Sequence, residues 1–256
     1  MADPVLLSNA AVWLGGYDLS GSLNNIDLKL SKAELANSRF GDLAETFDQG
    51  LEQISLSVKG FHDYAALGTD VRLYPRIKSD NTSWPITIAP PYATTAAPAA
   101  DGNIAYTIAG KQFSLEVSAA HGELLPYTLT SRLASTGTGA AVYRQKVVLP
   151  KASRASTTTG TGYQLGAVTA TQKIVAVLHA FSVTGGGTWT LTVESDDNSN
   201  FTSATTRATF TGGFSDVSRA IVETNGAITD DYWRVVLTKS GGTSCVAAAL
   251  LSIEPQ

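Results

Sequence analysis

A chain of 256 residues is long enough for one large or two ordinary domains, and a hydrophobic share of 43% supplies a sizeable core. Only 16% of the residues are charged, against about 25% in an average globular protein, so the surface is weakly solvated, as expected of a subunit that buries much of it in an assembly. The net charge of −4 without any basic block argues against a phosphate-clamping nucleic-acid binder, while permitting a surface past which nucleic acid slides.

The N-terminal Met1-Ala2-Asp3-Pro4-Val5 lacks the basic n-region of a signal peptide and reads as an arm. A strand is predicted around Val12-Trp13-Leu14. A turn at Asn24-Asn25 then leads to a strand over residues 26–30, with apolar residues at every second position. Residues 31–52 form the one sustained polar stretch with helical character. Leu43, Phe47 and Leu51 are spaced by four and would share a helix face, Asp42 would cap it, and Gly41 and Gly50 bracket it. So long an excursion between strands points to function or disorder. Further strands are predicted at 54–58, 71–74 and 86–88. A loop of small residues follows at 90–102, then a hairpin of 104–108 with 113–117 across Ala109-Gly110-Lys111, and a strand at 125–129.

Composition changes at Pro150: prolines crowd before it, and Thr, Ser and Gly dominate after it. Residues 151–162 have linker chemistry. The expected organisation is a β-sandwich domain over 1–150, a linker at 151–162, and a second, all-β sandwich-like domain over 163–256. In the second half, strands at 174–183 and 189–193 flank Gly185-Gly186-Gly187, a hairpin signal. Residues 196–200 form a turn, and strands follow at 208–210, 220–222, 233–237 and 245–253, with Gly241-Gly242 before the last. Strands at this density make the fold class mainly β, an antiparallel sandwich with a short flanking helix. No run approaches the ~20 apolar residues of a membrane span, so no membrane insertion is expected.

Chemistry-bearing residues are sparse. His62, His121 and His179 are scattered, without zinc-site spacing. His62-Asp63 could supply a base and its orienting carboxylate, but no G-x-S-x-G elbow accompanies them. Gly160-Thr161-Gly162-Tyr163-Gln164-Leu165-Gly166 matches a dinucleotide loop in outline only, its third glycine one position late. Asp196-Asp197-Asn198-Ser199-Asn200 offers oxygen ligands but lacks the glycine and terminal glutamate of a calcium loop; a turn explains it. Cys245, the single cysteine, excludes an internal disulfide and sits in an apolar run, as a core residue would. The expectation is a protein without catalysis, metal or cofactor.

The stretch Trp13-Leu14-Gly15-Gly16-Tyr17-Asp18-Leu19-Ser20-Gly21, then Asn24-Asn25-Ile26-Asp27-Leu28, the excursion over 40–51 and Ile54-Ser55-Leu56-Ser57-Val58-Lys59-Gly60-Phe61 together resemble the major tail tube proteins of long-tailed, siphovirus-like bacteriophages. The second half resembles carboxy-terminal parts of such virion proteins, through residues 176–183 and 229–235. The resemblance implies a structural virion protein, made in the host cytoplasm and residing in the tail. It implies rings, usually hexameric, that stack into a hollow tube, with other tail proteins at the tube ends and DNA passing through the lumen without specific binding. It also implies that the excursion carries subunit or ring contacts, with Arg39, Asp42, Glu45 and Asp48 pairing and Phe40, Leu43 and Phe47 burying; a flap over the protomer's own core would use the same apolar residues. The second domain would decorate the outside or add strands to the wall. Two other readings compete. A carbohydrate- or host-binding sandwich would use Trp13, Trp84, Trp189 or Trp233 as platforms, although Trp189 and Trp233 fall in phase with core residues. A glycoside hydrolase would need paired carboxylates in a cleft, and the acids here scatter over loops.

Overall fold

The computed structural model describes residues 10–37, 47–64, 68–79, 84–90, 97–133, 142–210, 213–215 and 217–256, and the fold is mainly β. In chain order, β1 (Ala11–Leu14) and β2 (Tyr17–Asp18) flank a tight turn, and a 3-10 turn (Ser20–Ser22) leads into β3 (Leu23–Ala36). Then come β4 (Phe47–Phe61), α1 (Thr69–Ser79), β5 (Trp84–Ala89), β6 (Ile104–Val117), β7 (Pro126–Leu133) and β8 (Val142–Arg154). The short β9 (Thr158–Thr159) and β10 (Tyr163–Gln164) precede β11 (Gln172–Thr184), β12 (Thr188–Asp196), β13 (Thr205–Thr209), β14 (Ser218–Asn225), β15 (Tyr232–Ser240) and β16 (Ser244–Pro255).

The chain divides into two compact units built from interleaved segments. Unit 1 takes the described residues within 1–21, 83–109 and 136–256; unit 2 takes those within 22–82 and 110–135. This differs from a division into 1–150 and 163–256, and strand pairing is the reason. β8 and β16 are neighbours, with Arg154 opposite Cys245 and Val147 opposite Leu250, so segments on both sides of Pro150 share one sheet.

Unit 1 is a sandwich. One sheet runs β14-β11-β16-β8-β6-β5-β1-β2 and the other β10-β15-β12-β13, with β9 beside β15. Between them lie Trp189, Leu191 and Val193 of β12 and Trp233, Val235 and Leu237 of β15, packed against Leu178, Ala249 and Leu251. The alternation read from 189–193 and 233–237 is therefore the core face of a half-buried sheet. By contrast, β11, β16 and β8 are covered on both faces: Val177, Leu250 and Val147 form a second cluster with Trp13, Ala89 and Ala105. That explains the unbroken apolar run at Cys245-Val246-Ala247-Ala248-Ala249-Leu250. Burial pushes the Cys245 thiol up to about 11, as expected of an inert core cysteine.

Several local expectations are corrected. The residues 151–162 are fixed rather than a linker: 151–154 belong to β8, β9 pairs β15, and the amides of Gly160 and Thr161 donate to Val235 O and Val148 O. The glycine triplet at 185–187 does not close a hairpin. β11 pairs β14 and β16, while β12 pairs β13 and β15. The turn therefore arches from one sheet to the other, as does Gly241-Gly242 between β15 and β16. The two arches touch so closely that a Cβ on Gly187 would fall 2.0 Å from the Gly241 carbonyl carbon. Residues 104–108 and 113–117 are one strand, β6, with a bulge at Gln112/Ser114, rather than a hairpin.

The helix, too, lies elsewhere. Phe47 and Leu51 sit in β4, whereas 71–74, read as strand, belongs to α1. A spacing of four is a multiple of the strand period as well as one helical turn, so position alone does not separate the two. α1 starts where Thr69 Oγ1 accepts a hydrogen bond from the Asp63 amide at 2.8 Å.

Candidate assembly interface

Unit 2 is built on a four-stranded antiparallel sheet, β3-β4-β7-β6, in which β6 contributes 110–117. Register separates its faces. On one, Ile54, Leu56 and Val58 of β4 lie beside Tyr127 and Leu129 of β7, all buried. α1 is tied to the end of this apolar face. The His62 ring packs edge-on to Tyr127, and its Nε2 lies 3.2 Å from Asp70 Oδ1, while Leu73 of α1 is fully buried. A carboxylate only accepts, so His62 Nε2 carries the hydrogen. On the other face, Asp27 and Lys29 of β3 stand opposite Ser57 and Ser55 of β4, followed by Thr130 of β7 and Ser114 of β6. This face is mostly polar, with Phe61 opposite Pro126 at its end, and register sets Lys29, Ser55, Arg132 and Lys111 in one row across it.

Among the described residues, neither margin of this sheet has a further strand beside it. Residues 24–30 of β3 pair β4 on one side and no other described strand on the other; residues 114–117 of β6 pair only β7 among the described strands. Long bare edges invite pairing with another chain. On the apolar face, Leu30 of β3 is 50% exposed and Val117 of β6 is 36% exposed, whereas the central strands are closed to water. Beyond the described end of β7, β3 and β4 continue as a two-stranded ribbon in which Ser31 pairs Gln53 and Ala36 pairs Phe47. Seven β4 residues, 47–53, span roughly 20 Å at ~3.3 Å each, and an isolated ribbon is marginally stable in water.

Exposed apolar side chains follow the same division. Leu30, Phe47, Phe61, Tyr64, Val71, Tyr74, Val117, Leu124 and Val217 are the exposed large hydrophobics among the described residues, and all but Val217 belong to unit 2. The second sheet of unit 1 is better protected: β15 is flanked by the two-residue β9 and β10, and the far border, β13, is five residues long. Short edges of this kind are poor templates.

Of the residues expected to make subunit contacts, the structure places two. Phe47 is 54% exposed at the ribbon, and Asp48 accepts a 2.6 Å hydrogen bond from Asn37 Nδ2 across it. Arg39, Phe40, Asp42, Leu43 and Glu45 lie outside the described residues. Sequence reading missed Leu30, Phe61, Tyr64, Val117 and Leu124. The alternation of Leu30 and Val117 marks a face, but only the pairing shows that they stand on the sheet's margins.

His179 and Asp196 make structural contacts. His179 is fully buried. Its Nδ1 lies 2.5 Å from Gly15 O, which can only accept, so Nδ1 carries the hydrogen. Nε2 then accepts from Thr87 Oγ1 at 2.7 Å, and Thr87 accepts from Thr107 at 2.7 Å. Burial lowers the His179 pKa to about 4. Asp196 accepts from the amides of Asn198 and Ser203, fixing the 196–200 turn. No group of three metal-ligating side chains occurs among the described residues. All four tryptophans are buried, which removes them as exposed sugar platforms. No described helix is long and apolar enough to cross a membrane.

No family model matches the chain, and no curated protein does. Solved structures with a similar fold include the PVC sheath/tube terminator of an extracellular contractile injection system in its extended state, at 13% identity over 52% of this chain and 94% of that one, TM-score 0.41. The SPP1 tail tube is similar at 8% identity over 50% of this chain and 75% of that one, TM-score 0.39. The SPP1 Dit (gp 19.1) protein, from the hub adsorption apparatus of phages infecting Gram-positive bacteria, is similar at 13% identity over 95% and 98%, TM-score 0.35. Likenesses this loose leave function to be read from the sheet edges themselves.

Proposed function

We propose that this chain is a non-enzymatic structural protein of a phage-type tail whose copies join edge to edge through unit 2. β3 of one copy pairs 114–117 of β6 in the next, and repetition closes a ring in which no sheet edge is left bare. The observation that carries this reading is the coincidence, in one unit, of two open strand edges and nearly all the exposed large hydrophobics. The β3–β4 ribbon then reaches the next ring, where Phe47 finds cover, and stacked rings make a tube that DNA traverses. Head-to-tail contacts of this kind propagate without limit unless end proteins cap them. Six copies per ring, location in the virion tail and assembly in the host cytoplasm are what the tail-tube resemblance implies.

Sedimentation velocity of the purified protein over a concentration series tests this reading. Large species that grow with concentration support it; a single protomer at every concentration overturns it.

A further inference from the structure

We infer that Lys173 and Asn225 join in an intramolecular amide (isopeptide) bond, with Glu223 as the proton carrier, and that this bond staples β14 to β11 in unit 1. The inference stands apart from the ring proposed above. Among the described residues Lys173 is the one buried lysine, 4% exposed. It lies on the face of β11 that carries Val177 of the second core cluster. Register sets Asn225 of β14 directly opposite it, with Glu223 two residues along β14 on the same face. Next to this pair, Gln172 O accepts a 2.9 Å hydrogen bond from the Gly226 amide. Ladder bonds alternate along an antiparallel pair, so Lys173 and Asn225 form a non-hydrogen-bonded pair, the kind whose side chains stand closest. Lys173 Nζ lies 2.8 Å from Glu223 Oε2, and the hydroxyl of the buried Tyr143 donates to Glu223 Oε1 at 3.0 Å, which fixes the carboxylate beside the amine. On the other flank Glu254 of β16 stands opposite Lys173, and burial pushes its carboxyl up, so the surroundings disfavour charge. A desolvated lysine amine is a nucleophile. The step needs no added reagent. Glu223 Oε2 takes one proton from the Lys173 ammonium. The neutral Nζ attacks Asn225 Cγ, and the N–C bond forms as the carbonyl pair moves onto Oδ1. When that pair returns, the bond from Cγ to Nδ2 breaks. Nδ2 takes the proton held by Glu223 and leaves as ammonia from the exposed Asn225. Glu223 accepts the second proton that Nζ sheds and passes it to water from its partly exposed side. Among the described strands β14 pairs only β11, so the bond ties down a border strand.

Trypsin digestion of the folded, purified full chain, read by mass spectrometry, tests the bond. The wild type should give a branched peptide, uncut at Lys173 and joined to the peptide that holds Asn225, lighter by one ammonia than the two together. Asn225→Ala, which keeps the ion pair, should give only linear peptides, and so should Glu223→Gln, which cannot take the ammonium proton. The wild-type result decides whether or not the second variant folds. Linear wild-type peptides at their full sequence masses leave an ordinary ion pair and overturn the inference. Ammonia lost from a linear peptide, with cleavage after Lys173 intact, marks a cyclic imide at Asn225-Gly226 and overturns it too. A branch that forms to the same extent in Glu223→Gln overturns the role given to that carboxylate.

Discussion

Two side chains set the chemistry at the smallest scale. His179 is held neutral by burial, with a pKa near 4 against an ordinary 6.5. Between these values the unfolded chain takes up a proton that the folded chain refuses, so stability is full above about 6.5 and falls as pH drops toward 4. The loss amounts to at most about 3 kcal/mol. Denaturant midpoints at pH 7 and pH 4 should differ more for wild type than for His179→Gln, which lacks the titrating ring. Asp27 lies on one face with Lys29, two residues along β3, and diagonally across from Lys59, which stands opposite Asn25. Glu116 shares this face too, against Lys29, Lys59, Lys111 and Arg132, so removing Asp27 makes the face more positive still. Polymer of Asp27→Asn should therefore retain duplex DNA to higher salt than wild-type polymer, measured by co-sedimentation at rising salt.

At the level of elements, the open margins are the parts on which the proposed assembly depends. Leu30→Lys puts a charge on the apolar face at the β3 border, where it is half exposed in the protomer and would be desolvated between copies. Polymerisation should be lost, while thermal stability stays within about 0.5 kcal/mol of wild type, as for most exposed substitutions. Much of this architecture was legible in the sequence: strand existence, the core phase of Trp189 and Trp233, and the turn at Asp196. What was not legible has particular causes. Gly185-Gly186-Gly187 carries the composition of a hairpin, and nothing local says that its strands part into different sheets. Val71-Arg72-Leu73-Tyr74 alternates like a strand, yet its one fully buried side chain, Leu73, is a helical contact. Leu30 and Val117 look like core residues until strand order places them at a border.

For the whole molecule, the two units divide the work. Unit 1 is a sandwich whose second sheet has short borders and whose core holds Trp13, Trp189 and Trp233; it is built to stand alone. Unit 2 leaves its sheet unfinished and concentrates exposed apolar surface, the mark of an interaction site. The interleaving of the units along the chain was invisible to composition, because it arises from long-range pairing such as β8 with β16 rather than from any local change at Pro150. The proposed role in a tail would use both parts: a rigid body and a sheet that its neighbours complete.

Joining of β3 to β6 between copies is measured most directly by cross-linking. A chain carrying Asp27→Cys and Glu116→Cys, one cysteine on each open border, is polymerised and treated with a short bismaleimide. Denaturing electrophoresis should then show a ladder of covalent oligomers ending at the number of subunits in the ring, while each single variant gives no ladder beyond a dimer. Polymer that forms normally but yields only monomer in the double variant would contradict edge-to-edge closure.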